Sequence, residues 1–170
     1  DLSAQTYFLP PLTAKFIRLR RPEAVTQTGD VLTDRAYALA LQYGGGSKDY
    51  EKFPMLDTEW DFISAALPRL LTGDNNRLQK VCNSLDKFLD FTGKWDDLLW
   101  LNEESEERAI AAGDRETAGL RAYLAGWAYS LRNQSNKVLA CANRAADYWS
   151  DSTPGKKANA IKLRGGRPST

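Results

Sequence analysis

Apolar positions recur along this chain at helical spacing, three and four residues apart, almost from one end to the other. Leu12, Phe16 and Leu19 predict a helix over 12–20, stopped by Pro22, because a residue before proline avoids the helical region. Leu32, Ala36, Leu39, Ala40 and Tyr43 predict a second helix over 31–43, with Gly29 or Asp30 as its N-cap. Gly44-Gly45-Gly46-Ser47 reads as a flexible break. Trp60, Ile63, Ala66, Leu67 and Leu70 predict a third helix over 57–71, with Pro68 kinking or shortening its last turn. After the turn cluster Thr72 to Asn76 the pattern becomes regular.

Leu78, Val81, Cys82, Leu85, Phe88 and Leu89 form one apolar stripe, closed by Thr92-Gly93. Trp95, Leu98, Leu99, Leu101 and Ile110 form the next, closed by Gly113-Asp114. Leu120, Tyr123, Leu124, Trp127 and Leu131 follow, then Val138, Leu139, Ala142, Ala145 and Trp149. A last helix starts at Lys156 and runs to Leu163. Tyr7-Phe8-Leu9 reads as a single strand or an extended arm before Pro10-Pro11, and no convincing sheet is predicted, so the fold class is all-α.

The turns at Gly93 and Asn133 are 40 residues apart, with two helices between them. A period near 40 with two helices per period marks an α-solenoid of antiparallel helical hairpins. A lone hairpin leaves one apolar face in water, whereas stacked hairpins cover each other. The small residues Ala125, Gly126, Ala142 and Ala145 allow close approach.

The span 78–149 resembles tetratricopeptide repeats. Gly126 and Tyr129 match the small and aromatic positions of the first helix, Gly93-Lys94-Trp95 the turn, and Ala142 and Ala145 the small positions of the second helix. The chain departs from the pattern at Ala122, Ser150, Asp86 and Ser105, and its period exceeds the roughly 34 residues of that repeat. HEAT or armadillo repeats are the alternative within the same architecture. Nearly the whole chain also resembles the region that follows the nucleotide-binding module in bacterial STAND-type ATPases of the NB-ARC class. Tyr7 to Leu12, then Leu56 to Leu67, then Phe91 to Trp95 carry that second likeness. It implies a small helical module over 1–46, the end of a winged-helix region, followed by repeats over 47–170, the last one truncated. It also implies a cytoplasmic signal-transduction fragment serving as scaffold or sensor.

Composition narrows the function. With 42% hydrophobic and 26% charged residues, and five Trp, the chain is expected to fold. A net charge of +1 gives no general reason to expect nucleic acid or an anionic membrane as partner. No apolar run approaches the roughly 18 residues that span a bilayer. The polar start lacks a signal peptide's basic region, and both ends read as fragment boundaries. There is no His, so neither cysteine has a partner for thiolate activation and the usual acid-base residue is missing. No enzyme, cofactor or metal is expected. Cys82 and Cys141 read as buried reduced thiols. Gly44 to Lys48 superficially resembles a phosphate loop but has the wrong residue order and follows a helix, so it reads as a loop.

The expected partner is a protein or peptide, or another domain of the parent chain. A small molecule held in the solenoid groove is the rival, and DNA comes third. The resemblance puts the first helix of each repeat on the concave surface, making Arg121 and Tyr123 expected contacts. Trp100 adds an indole on a helix apolar on more than one side. Glu103, Glu104, Glu106 and Glu107 read as a solvated face or as the acidic rim of a groove for a basic peptide, with Glu103 and Glu107 as contacts and Glu104 paired to Arg108. Lys15, Arg18, Arg20 and Arg21 form a basic patch suited to an anion or a neighbouring domain. Trp60, Trp127 and Tyr129 are expected in the core. Apolar surface at Ala160, Ile161 and Leu163 is expected to be exposed, with self-association through that end.

Overall fold

A computed structural model describes residues 10–150 and 154–165. Those residues form nine α-helices and one 3₁₀ turn, with no strand among them. The helices are α1 (Pro11–Arg20), α2 (Pro22–Tyr43), α3 (Phe53–Thr58), α4 (Trp60–Thr72), α5 (Asn75–Phe91), α6 (Trp95–Ala111), α7 (Arg115–Leu131), α8 (Ser135–Tyr148) and α9 (Pro154–Arg164). The all-α expectation holds for the described residues, and Tyr7 to Leu9 lie outside them.

α2 begins at Pro22, well before the expected Val31. Proline suits the first helical position, where its missing N–H is not needed, and Glu23 favours the helix N-terminus. Gly29 and Asp30 therefore lie inside the helix instead of capping it. The Arg69 guanidinium lies against Gly29, where a Cβ would sit 2.7 Å from it, and donates to the Asp30 carboxylate at 2.5 Å. The expected helix over 57–71 is two helices, because the chain bends at Glu59 between α3 and α4. α4 continues through Pro68 to Thr72, so the proline does not shorten it. The glycine segment is pinned to α5: the Gly45 N–H donates to the Ser84 carbonyl at 2.9 Å, and a Cβ on Gly44 would sit 2.8 Å from the Ser84 carbonyl carbon.

From α5 onward the chain advances in equal steps. α5, α6 and α7 are 17 residues each, and three-residue turns follow them. Gly93, Gly113 and Asn133 occupy the same place in those turns, with φ of 72°, 75° and 56°. The next N–H in each turn, on Lys94, Asp114 and Gln134, reaches back five residues to Leu89, Ala109 and Tyr129 at 2.9–3.0 Å. This satisfies helix-end carbonyls that would otherwise lack partners. Each 40-residue period is thus two 20-residue steps.

Side chains also reach two helices back. Arg121 of α7 binds Gln79 and Asn83 of α5, and Arg144 of α8 binds Glu106 of α6. Lys156 of α9 pairs with Glu116 of α7. Close packing needs the glycines of α7. A Cβ on Gly119 would lie 2.6 Å from Trp149 Cδ1, and one on Gly126 would lie 2.6 Å from Leu163 Cδ2. That second contact corrects an expectation. Ala160 and Leu163 of α9, which packs on α7 and α8, are buried, and of that apolar group Ile161 alone is exposed, at 63%. The main core is continuous from Ala36 of α2 to Leu163 of α9, with a smaller cluster around Trp149.

Candidate partner-binding groove

The helical period of α5 places Asp86 and Asp90 one turn apart on the same side, with Lys87 between them. On α7 the same spacing aligns Tyr123 with Trp127, beside Leu124. These two rows, with Leu98 from α6, line a cleft of about 270 Å³. A second cleft of about 520 Å³ adjoins it, lined by Ser47, Tyr50, Phe53, Lys87, Asp90 and Phe91. Lys87 and Asp90 line both clefts, which are taken together as the two lobes of a groove, each with apolar side chains beside that shared charge.

The electrostatics of the middle are unusual. The Asp86 and Asp90 side chains are only 13% and 26% exposed. Lys87 Nζ lies 3.9 Å from each carboxylate, near the limit for an ion pair. Burial pushes the Asp86 carboxyl above its ordinary range, against the pull of Lys87 and of Arg121. Tyr123 is held from behind by the Trp149 ring, with centroids 6.0 Å apart. The buried Trp127 indole N–H has no acceptor among the described residues.

Another cleft, of about 480 Å³, lies between α2 and the α4–α5 turn. Its charges are already matched, Arg69 with Asp30 and Arg77 with Asp34, both at 2.5 Å. Its one buried polar atom without a partner among the described residues is Arg77 Nε.

The expected contact residues separate. Arg121 is a correction: it is fully buried and faces no solvent. The small side chains of Ala118, Ala122 and Ala125 leave room for its guanidinium to cross to α5. There Nε donates to Gln79 Oε1 at 2.7 Å, and one terminal nitrogen donates to the Gln79 carbonyl at 3.0 Å and Asn83 Oδ1 at 2.6 Å. Desolvation lowers its pKa, the cost of burying a cation with no carboxylate in salt-bridge range among the described residues. Tyr123 does line the groove. Trp100, Glu103 and Glu107 lie together on the exposed stripe of α6, away from the two clefts that share Lys87 and Asp90.

The acidic run divides in the same way. Glu106 is buried and takes a two-point contact from Arg144 at 2.7 and 3.0 Å, plus the Tyr148 hydroxyl at 3.2 Å. That carboxylate raises the Arg144 pKa. Glu103 accepts from the Tyr129 hydroxyl at 2.7 Å. Arg108 does not pair with Glu104, because it donates instead to the Gly73 carbonyl at 2.6 Å. Lys15, Arg18, Arg20 and Arg21 are exposed at α1, with no ion pair among the described residues. Trp60 and Tyr129 are in the core as expected, whereas Trp127 is only partly buried. Both cysteines are buried free thiols, and burial raises their pKa, which opposes thiolate chemistry. No group of metal-ligating side chains occurs among the described residues, and no helix there is long and apolar enough to cross a membrane.

Asp86, Lys87, Asp90, Leu124 and Trp127 were missed as site residues. One signal was present: Asp86 stands where the repeat pattern expects a small residue. No known protein family, curated protein or solved structure matches the chain.

Proposed function

We propose that this chain is a tetratricopeptide-like array of stacked helical hairpins, preceded by α1 and α2, which binds a segment of a partner protein without catalysing a reaction. The groove between α5 and α7 carries the reading. It joins exposed aromatic area to largely covered charge, the combination that dominates protein recognition. The 20-residue steps and the contacts two helices back support the stacked arrangement. The likeness to the repeat region of STAND-type ATPases supports a cytoplasmic regulatory role within a larger protein, where the partner is another chain or another domain.

The test is capture of binding proteins from native cytosol by the chain, by a Tyr123→Ala/Leu124→Ser variant and by a Trp100→Ala/Glu107→Ala variant, all with matched melting temperatures. A partner lost with the first variant and retained by the second supports the groove. Loss with the second variant alone moves the site to the outer face of α6.

A further inference from the structure

The middle of the groove holds two carboxylates and one loosely placed ammonium, that of Lys87. Charges withdrawn from water are normally both paired and hydrogen-bonded. Asp86 and Asp90 are largely covered, at 13% and 26% side-chain exposure, and their carboxylate oxygens keep some contact with water in place of a hydrogen bond from a described residue. Their nearest ammonium belongs to Lys87, a side chain 45% exposed that reaches each only at 3.9 Å. Arg121 lies behind Asp86 but is held by Gln79 and Asn83, so it is not free to approach. Apolar side chains stand on both sides of this pair. Tyr50 and Phe91, 53% and 73% exposed, are at one end, and Leu98, Tyr123, Leu124 and Trp127 are at the other.

We propose that the groove takes a partner segment carrying one lysine or arginine flanked by apolar side chains, the incoming cation displacing Lys87 from between Asp86 and Asp90. The proposal rests on the peptide-binding reading above and specifies the occupant. A guanidinium presents several N–H donors in a rigid fork and can satisfy two carboxylates at once, which the long Lys87 contacts do not. Tyr123 and Trp127 also line this cleft, and aromatic rings near the site favour a cation over an anion. The flanking apolar residues of the partner fill the two lobes, and Lys87 swings into water, where its charge is well solvated. Lys87 is thus an internal stand-in for the ligand, and its removal has the opposite sign from removal of the aspartates.

The experiment uses the whole chain against an array of labelled decapeptides. The central residue is Arg, Lys, Gln or Glu, and the flanking positions vary over apolar residues. Peptides centred on Arg or Lys are expected to bind about tenfold more tightly than their Gln counterparts. Asp86→Asn/Asp90→Asn removes that preference, and Lys87→Met strengthens it. Circular dichroism and denaturant midpoints confirm that the Asn variants are folded before binding is read, and Lys87→Met supplies the opposite sign independently. Equal binding of Gln- or Glu-centred peptides, a preference that survives the Asn variants, weaker binding by Lys87→Met, or no binding by any peptide overturns the proposal. If it falls while the Tyr123→Ala/Leu124→Ser variant still loses a cytosolic partner, the groove reading stands and only the cation is wrong.

Discussion

α1 and α5 show the same apolar spacing in sequence and opposite fates in the fold. Leu12, Phe16 and Leu19 are 82%, 59% and 72% exposed, and α1 buries no residue. Leu78, Val81, Leu85, Phe88 and Leu89 of α5 are all fully buried. An amphipathic period says that a helix has an apolar side. It does not supply the surface that covers that side. α5 meets other helices on several sides: a short turn returns α6 beside it, and α2 and α4 pack against it as well. α1 is set between Pro11 and Pro22 and touches chiefly α2. α5 therefore sits in the main core, whereas α1 contributes little to it.

Substitutions separate these two regions. The largest expected effect is Gly119→Val, which forces side-chain atoms into the Trp149 ring and costs about 3 kcal/mol. Phe16→Ala in α1 is expected to stay within about 0.5 kcal/mol. Chemical denaturation of both measures the contrast, and equal losses would break it. A smaller effect tests the turns. Gly113→Ala costs about 1 kcal/mol through backbone strain alone, since nothing lies within 4 Å of an added Cβ at φ 75°. Gly113→Asn costs less, because Asn133 already adopts the same turn at φ 56°. A cost for Asn as large as that for Ala would show that the turns are not equivalent.

The smallest effect is a pH dependence. Burial and the hydrogen bond to Glu103 push the Tyr129 phenol from its ordinary value of 10.0 up to about 12. The folded state thus favours the neutral phenol. Its contribution is fully present below pH 10.0 and is lost as pH rises through about 12. Tyr129→Phe is expected to flatten the fall in denaturant midpoint across that window. An unchanged fall would assign it to other groups, Tyr148 first, whose phenol is also raised.

Much of the fold was legible from single residues. Thr92-Gly93 and Gly113-Asp114 marked turns correctly because only a few residues tolerate a left-handed backbone, so position and residue type are tied locally. The stripes of α5 and α7 were legible for a similar reason, since helical periodicity is set by residues within two turns. Errors arose where a local signal met a distant partner. Gly29-Asp30 looks like a helix start, but in the fold it is the seat for Arg69, far along the chain. Arg121 looks like a surface contact, yet the alanines around it and the acceptors on α5 bury it. Leu163 looked uncovered until Gly126 supplied a place for it.

The groove follows the same division. The sequence alone set the spacing of Asp86 with Asp90 and of Tyr123 with Trp127, and so put each pair on one side of its helix. It also determined that the described chain is helical, because helix propensity and apolar period are properties of neighbours. Only the tertiary structure decided that those two sides face one cleft, that Asp86 sits covered beside a poorly placed lysine, and that Trp100 with Glu103 and Glu107 lies outside that cleft. Burial and charge pairing depend on residues some 40 positions apart, and no local pattern encodes which of them meet.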